Sequence, residues 1–453
     1  MESLVSVVLT LAYIVAVAVL VIKKYNSVLV FLGSGILVLL AIFAFKDASI
    51  LGDKATGNFV FDVFTFATQA FSSNTAGVGM TLMMVTGYAV YMSHIGASTK
   101  LATIASKPLS KIRNPYIALS FVFIIGILLK LVITSHAGLA MLLMAVSFPI
   151  LTSLGISKLS SAVVIVLCGF LDWGPNDSAA IFAAEKVSGM QMVDYFFGYQ
   201  AKVAFALIAI CAIVLPIYCR WIDKKQLSNE DTKAEIDSLE QKDCPTLYAI
   251  LPLVPLLLII IVSFIPGQTL SVPAANFLGL MFVFGLELIR RAEKKLVSND
   301  FKVVLEAMAT SFKSVVAILI GAAVFAEAIK QLGGITIISN TLAHIQTAPI
   351  IVVALMALIT FLAGVVMGSG NASWYAFGPL VPDMATHMGT HATTIAVPMQ
   401  LSASIGRSMS PVAGVVIAVA GMTQIDIMDL VKRIAPIAIL LYFSNILVSY
   451  VIV

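Results

Sequence analysis

The chain has 453 residues, of which 60% are hydrophobic and only 11% are charged, and its mean hydropathy is +1.04. A soluble enzyme or binding module of this length would carry more charge, so these values exclude that class and indicate a polytopic membrane protein. The net charge of +4 gives no support for nucleic-acid binding, because the basic residues lie in short segments between apolar runs.

The first half of the chain predicts five membrane spans and one paired apolar segment. The first span, 4–22, has no basic residue ahead of it and no clear cleavage site, so we expect it to be retained and not to act as a signal peptide. The other spans are predicted at 27–46, 76–95, 161–183 and 201–219, and the paired segment at 115–152.

The second half repeats this hydropathy pattern after a hydrophilic segment. Mixed charge over 220–245 predicts a solvated cytoplasmic linker. The later spans are predicted at 246–266, 272–289, 312–330, 396–422 and 435–452, with a paired segment at 348–383. Five crossings per half is an odd number, so the second repeat, 246–453, would enter the membrane in the opposite sense to the first, 1–219.

The sequence therefore predicts an all-α polytopic membrane protein made of two inverted repeats. Each repeat has five spanning helices, one of them broken, plus a paired segment that forms either a re-entrant hairpin or two full crossings. Of the 27 Lys and Arg residues, 19 lie in segments that an alternating topology places on one side. The positive-inside rule puts that side in the cytoplasm and both termini outside. The four cysteines have no disulfide or zinc spacing and are expected to be inert.

Four polar clusters interrupt the apolar runs, two in each half. They are Thr134–Gly138, Gly174–Ser178, Gly368–Ser373 and Gly406–Pro411. The separation from Ser135 to Pro175 is 40 residues, and from Ser369 to Pro411 it is 42. Helix-breaking sequence at membrane depth is tolerated only where the backbone is buried in protein or faces a watery cavity. Matched breaks are typical of a transporter whose substrate site lies between internal repeats.

The second half carries a family resemblance. Residues 367–377 (MGSGNASWYAF) and 404–416 (SIGRSMSPVAGVV) closely resemble signature stretches of the DcuC family, as do 107–109 and 322–326. The similarity covers nearly the whole chain. It implies a bacterial inner-membrane carrier of four-carbon dicarboxylates, with a scaffold domain, a moving transport domain of the elevator type, and a homodimeric assembly.

The first half differs from the family pattern at both of its breaks. Ser135-His136-Ala137-Gly138 stands where a Ser-Ala-Thr-Gly-like hairpin tip is usual. Residues 171–178 (LDWGPNDS) stand where a Pro-Thr-Ser-Gly-Asp-like break is usual. The substrate therefore stays open between a C4-dicarboxylate and an amino-bearing or other small organic anion.

Arg407 is the strongest candidate for substrate binding. An unpaired Arg at mid-membrane costs from ~3 to ~10 kcal/mol or more, so this residue is expected either to grip a substrate carboxylate through two hydrogen bonds or to form a structural ion pair. Ser408 beside it joins the predicted site. Ser369, Gly370 and Asn371 begin a half-helix whose partial positive charge suits an anion, although a tight turn alone would also require glycine.

The first half supplies the candidate partners. Ser135 and His136 are the symmetric counterparts of the second tip, although a lone membrane histidine is often a packing residue. Asn176 is predicted to bind substrate. Asp172 and Asp177 flank the point where the helix opens. They are candidate proton carriers, sodium ligands, partners of a substrate amino group or, for Asp177, a helix cap. No cofactor or metal site is predicted, and the coupling ion is H⁺ or Na⁺.

Two further groups carry less weight. Lys130 lies deep in the first paired segment, where it could contact substrate, pair with a carboxylate such as Glu327 or Asp172, or snorkel to the interface. Asp383, His387 and His391 have a metal-like spacing but are expected to be solvated in an outer loop.

The leading interpretation is secondary active transport of succinate, fumarate or malate, coupled to protons or sodium. A membrane hydrolase is disfavoured because no nucleophile, base and oxyanion set is visible. A channel is disfavoured because its pore would need rings of repeated subunits.

Overall fold

The computed structural model describes residues 2–23, 25–44, 49–107, 112, 114–226, 244–263, 265, 268–333 and 348–453. Every regular element in these ranges is a helix, which confirms the predicted fold class. The helices long and apolar enough to cross a membrane are Phe59–His94, Met192–Lys224, Val272–Arg290, Ile350–Met367 and Ile427–Ile452. They support a multi-pass membrane protein.

The first five helices match the predicted spans only in part. They are α1 (Glu2–Ile22), α2 (Ser27–Phe43), α3 (Phe59–Asn74), α4 (Met80–His94) and α5 (Ala97–Ser106), and of these α3 and α5 have no predicted counterpart. A π-helical turn joins α3 to α4 and is kinked at Gly77 (φ −83°, ψ −113°), so the predicted span 76–95 covers the second of two helices that meet at this kink. Polar residues such as Asp62, Gln69 and Asn74 lower the hydropathy of α3, and for this reason the sequence pattern missed it.

The first paired segment and the first broken helix follow. Their helices are α6 (Pro115–Leu129), α7 (His136–Val146), α8 (Phe148–Ser153), α9 (Lys158–Leu167) and α10 (Ser178–Ile181). The predicted breaks at Thr134–Gly138 and Gly174–Ser178 thus fall at or next to real interruptions. A short α11 (Met192–Tyr195) leads into the long α12 (Ala201–Gln226), which continues past the predicted linker boundary at 220. The linker residues 227–243 lie outside the described residues.

The second half contains the remaining helices. They are α13 (Val254–Ser263), α14 (Val272–Arg290), α15 (Lys294–Ser311), α16 (Ala317–Leu332), α17 (Ala348–Met367), α18 (Gly370–Phe377), α19 (Val381–Met388), α20 (Ala392–Ser408), α21 (Gly414–Thr423) and α22 (Ile427–Ile452). The basic residues were expected in short segments between apolar runs, but over 290–302 most of that segment belongs to the helix α15. This helix buries Val297, Val304 and Ala307 and exposes its charged residues, a pattern that hydropathy averaging conceals.

Packing divides the described helices into two groups. In one group α2 packs along α16, and α4 packs on α14 and α15. In the other group α17 packs along α20, while α22 packs on α12 and α20, and α6 packs on α12. Both interrupted helices and both hairpin tips belong to this second group, and α18 also packs against α16. The breaks therefore lie near the border between the groups. The inverted relation of the halves and the depth of the hairpins stay predictions.

Candidate functional site

The tip of the first hairpin, between α6 and α7, wraps around a buried lysine. Ser135 caps α7 by accepting a hydrogen bond from Gly138 N at 3.1 Å. Lys130 follows the last residue of α6, and its ammonium donates to the Thr134 carbonyl at 2.9 Å. The Lys130 side chain has 0% exposure, whereas Ser135 is exposed. The tip thus presents a hydroxyl outward and keeps a cation inside.

His136, the first residue of α7, faces the first broken helix. Its Nε2 lies 2.8 Å from the Val166 carbonyl oxygen, and Nδ1 has no hydrogen-bond partner among the described residues. Gly169 makes room for the ring, since a Cβ there would lie 2.0 Å from His136 Cδ2. This close packing shows a structural role for the imidazole; contact with substrate stays a prediction.

The first break places two carboxylates in the interior. Gly174 adopts φ +105°, a left-handed conformation that favours glycine and redirects the chain before α10. Asp177 caps α10 by accepting from Ala179 N at 2.9 Å, so the predicted cap is present. Asp172 and Asp177 are each only 3% exposed. Carboxylates this deep require cationic partners.

The tip of the second hairpin contacts the first broken helix. Ser369 caps α18 by accepting a backbone N–H at 3.2 Å. Asn371 Nδ2 donates to Ser178 Oγ at 2.9 Å, which links the two halves of the chain. A Cβ on Gly370 would lie 3.1 Å from Asp172 Oδ2, so the absence of a side chain lets this tip approach the carboxylate.

Arg407 joins the second broken helix to the first. Its Nη1 donates to Asp172 Oδ2 at 2.7 Å, and Nη2 donates to Asp172 Oδ1 at 2.9 Å and to the Gly169 carbonyl at 3.0 Å. The Arg407 and Asp172 side chains are 11% and 5% exposed. Ser408 is bonded within its own helix, where Oγ donates to the Ser404 carbonyl at 3.2 Å. The expected structural ion pair is therefore present, and it has bidentate geometry.

The four charged side chains form one group, which we call the ion cluster: Lys130, Asp172, Asp177 and Arg407. The Lys130 ammonium lies 2.8 Å from Asp177 Oδ2 and 3.3 Å from Asp172 Oδ1. The predicted pairing of Lys130 with Asp172 is confirmed. The alternative with Glu327 is wrong, because the ion partners of Lys130 among the described residues are Asp172 and Asp177, while Glu327 accepts from Gln331 in its own helix. Two cations and two carboxylates make the ion cluster formally neutral.

Asn176, also in the first break, contacts α14. Asn276 Nδ2 donates to Asn176 Oδ1 at 3.4 Å and to the Val272 carbonyl at 2.9 Å. Because α14 packs in the other helix group, this amide pair crosses the border between the groups. Its geometry suits a contact between packing groups; a role in binding substrate stays a prediction.

Two buried glutamines hold the first break, and the sequence analysis did not identify them. Gln400 Nε2 and Gln200 Nε2 donate to the Asp172 carbonyl at 2.8 and 3.3 Å. Gln200 Oε1 accepts from Gly174 N at 3.1 Å, and Tyr195 OH donates to Gln400 Oε1 at 2.8 Å. The sequence feature that could have identified both glutamines is an amide side chain within a mostly apolar stretch, because a buried amide needs hydrogen-bond partners. These bonds satisfy backbone groups that the interruption of the helix leaves open.

A cavity of about 330 Å³ lies between the first hairpin tip and helices α4 and α5. Its lining includes the hydroxyl-bearing residues Thr86, Ser93, Ser98, Thr99, Thr134 and Ser135. Thr134 is also the residue whose carbonyl accepts from Lys130. The cavity therefore borders the turn that encloses the ion cluster, and its size is in the range of small-molecule sites.

The remaining sequence candidates lie apart from the ion cluster. Asp383 pairs with Lys330 at 3.3 Å and its side chain is 46% exposed. Within the described ranges, no three metal-ligating side chains come together, so the spacing of Asp383, His387 and His391 builds no metal site there.

Comparisons with known proteins identify what the chain is similar to. The sequence model of the DcuC family, described as C4-dicarboxylate anaerobic carrier, matches residues 1–453. The anaerobic C4-dicarboxylate transporter DcuC of Escherichia coli (strain K12) is 31% identical over 436 residues, covering 96% of this chain and 94% of that protein. A probable transporter of the same name from Vibrio cholerae is 32% identical over 446 residues, with the same coverage.

A solved structure shares the fold. The Alcanivorax borkumensis YdaH transporter superposes with a TM-score of 0.63 at 14% sequence identity, and the match covers 94% of this chain and 98% of that one. At this identity the likeness concerns the fold alone.

Proposed function

The chain belongs to the DcuC family of anaerobic C4-dicarboxylate carriers, and on this premise we propose that it moves succinate, fumarate or malate across the bacterial inner membrane as a secondary active transporter. The relatives are named as transporters, and the proposal assigns no enzymatic reaction to the chain. The observation that carries it is the two-bond contact between Arg407 and Asp172, where both interrupted helices meet.

The Asp172 carboxylate occupies the place that a substrate carboxylate would take on Arg407. A guanidinium binds any carboxylate through the same pair of parallel hydrogen bonds. A dicarboxylate that enters the site therefore competes with Asp172 for Arg407. In the absence of substrate, Asp172 keeps the cation paired and removes the cost of an isolated charge in the membrane.

The second substrate carboxylate is assigned to the helix N-termini at the two hairpin tips. Ser135 and Ser369 begin α7 and α18, and such termini carry open N–H groups and partial positive charge. Gly370 and Asn371 lie beside Asp172 and Ser178, so the second tip is close to the ion pair. Access from one side would run through the cavity next to Ser135, whose mainly apolar lining includes several hydroxyl groups.

Charge balance supplies the reason for ion coupling. The ion cluster is neutral without substrate, so a dianion would add two uncompensated negative charges to a buried site. Burying such charge is prohibitive unless positive charge enters as well. Protonation of Asp172 and Asp177, or entry of sodium beside them, provides it. These two carboxylates are thus the proposed coupling groups.

Movement is proposed to be of the elevator type, within a homodimer whose termini face the periplasm. Both hairpin tips and both breaks belong to one packing group, which would move as the transport domain against the group formed by α2, α4, α14, α15 and α16. The Asn176–Asn276 contact joins these groups and would have to break during each cycle. Two inverted repeats would give the two end states equivalent geometry.

An amino-bearing anion is the alternative cargo. It would need a carboxylate to receive its ammonium, and Lys130 already fills the space between Asp172 and Asp177. The arrangement therefore favours a dicarboxylate.

Counterflow in proteoliposomes tests the proposal. Vesicles loaded with unlabelled succinate should transiently accumulate labelled succinate, and external fumarate and malate should compete with the label. Arg407→Ala should abolish this exchange, whereas the matched control Arg220→Ala, at an exposed position on α12, should not change it. Absence of exchange with every dicarboxylate would reject the proposal, and competition by amino acids alone would favour the alternative cargo.

A further inference from the structure

The Lys130 ammonium is coordinated as a bound cation would be. Three oxygens surround Nζ: Asp177 Oδ2 at 2.8 Å, the Thr134 carbonyl at 2.9 Å and Asp172 Oδ1 at 3.3 Å. Two of these contacts are hydrogen bonds that the ammonium donates, to Asp177 and to the Thr134 carbonyl, and the third is an ion pair with Asp172. The side chain has 0% exposure, so snorkelling to the interface is excluded.

These oxygens are of the kinds that bind sodium in carriers with interrupted helices. Such sites include carbonyls of unwound backbone among their ligands, and hard cations select oxygen ligands, carboxylates among them, in general. Thr134 lies in the turn before α7, and Asp177 caps α10. Without the ammonium, Arg407 would still pair with Asp172. Among the described residues, Asp177 would keep only the hydrogen bond from Ala179 N, which does not neutralise its charge. A buried carboxylate in that condition requires another cation.

We infer that Lys130 is a tethered cation filling a site that would otherwise take a sodium ion, so that this carrier needs no Na⁺ there and removal of the side chain opens the position to Na⁺. The inference rests on the proposed function, because it names which ion that function uses. With Na⁺ excluded from this position, protons are the cations that the inference assigns to Asp172 and Asp177 when a dicarboxylate binds.

The ionisable groups around the proposed cation position come from every element packed on it. They are Lys130 after α6, His136 on α7, Asp172 and Asp177 in the first break, Tyr375 on α18 and Arg407 on α20. The two carboxylates in this set both contact the ammonium, so a proton on either one weakens its hold on Lys130. Proton entry and release of the tethered cation from that carboxylate are therefore linked.

Two measurements test the inference. The first compares succinate uptake by the wild type, at a fixed pH gradient, in Na⁺ and in N-methyl-D-glucamine buffers. We expect the rates to agree within about twofold, since Lys130 fills the proposed position. The second follows thermal unfolding of the purified protein in detergent. Sodium should raise the melting temperature of Lys130→Ala by roughly 2 °C or more, because a ligand that binds the folded state stabilises it.

Three variants serve as controls. Lys202→Ala removes an exposed lysine and should show no response to sodium. Lys130→Arg keeps the tethered charge and should also show none. Lys130→Ala combined with Asp177→Asn removes one cation and one carboxylate together, so the sodium response of Lys130→Ala should disappear.

The results that would overturn the inference differ from the result that would reject the proposed function. Sodium-dependent uptake by the wild type overturns the inference, as does a Lys130→Ala protein that is indifferent to sodium or unfolded in both salts. Failure of dicarboxylate counterflow in the wild type would instead reject the proposed function. The sodium-dependent unfolding of Lys130→Ala does not require transport, so it would still test sodium binding at this position.

Discussion

The two broken-helix regions have similar backbones but different chemistry. Each consists of a hairpin tip capped by a serine, Ser135 or Ser369, and of a helix that stops and restarts nearby. The first region supplies both carboxylates of the ion cluster together with Lys130 and His136, whereas the second supplies Arg407 and a glycine-rich tip. The Arg407–Asp172 ion pair joins them across 235 residues of sequence. Neither region is electrostatically sufficient alone, so docking of the two halves completes the site.

The largest effect is expected at the residue that joins the two regions. Arg407→Ala leaves Asp172 with Lys130 as its remaining partner in the ion cluster, and breaking a buried ion pair in this way costs about 3–5 kcal/mol. Succinate counterflow should be lost, and the melting temperature in detergent should fall. Arg407→Lys keeps the charge without the planar two-bond geometry and should retain partial exchange. Wild-type exchange by Arg407→Ala would show that the regions work without this link.

The next effect belongs to the first region only. Gly169→Ala places a Cβ 2.0 Å from the His136 ring, and the overpacking should cost about 2–3 kcal/mol. Thermal unfolding measures the loss, and the double variant Gly169→Ala/His136→Ala should recover most of it. Gly198→Ala, where a Cβ meets nothing within 4 Å, is the matched control. No recovery in the double variant would mean that His136 is not the obstacle.

A smaller effect is expected where the second half supports the first break. Gln400→Leu removes the partner of the Tyr195 hydroxyl and one donor to the Asp172 carbonyl, which should cost about 1–2 kcal/mol. Because the break positions Asp172, the concentration of succinate giving half-maximal exchange should change more than the maximal rate. Gln69→Leu, at an exposed position on α3, should alter neither value. An equal loss in both kinetic parameters would indicate a purely structural role.

The smallest effects compare the two serine caps directly. Ser135→Ala and Ser369→Ala each remove one bond to a backbone N–H, so each should lower stability by about 1 kcal/mol. If the second tip is the closer one to substrate, succinate affinity should fall further in Ser369→Ala than in Ser135→Ala. An equal fall in succinate affinity in both variants would show that the two tips contribute equally. Ser153→Ala, at an exposed position, is the control.

The sequence by itself determined the class, the helical fold and the places where helices stop. High hydropathy over segments of membrane length and polar clusters at Thr134–Gly138 and Gly368–Ser373 are local properties, and local properties can be read along a chain. Arg407 was identified for the same reason, since one charged residue in an apolar run needs a partner wherever it lies. The helices α3 and α15 were missed because their polar residues mask an apolar face.

Only the tertiary structure decided which partners meet. Lys130 was ranked low and Gln200 and Gln400 were not considered, yet all three hold the first break. Their partners are separated from them by tens to hundreds of residues, and hydropathy carries no information about such distances. The pairing of Arg407 with Asp172 likewise depends on how two interrupted helices pack. The sequence gives the sign of each charge. Its neutralisation depends on the folded protein, because it requires groups from both halves of the chain within hydrogen-bond distance.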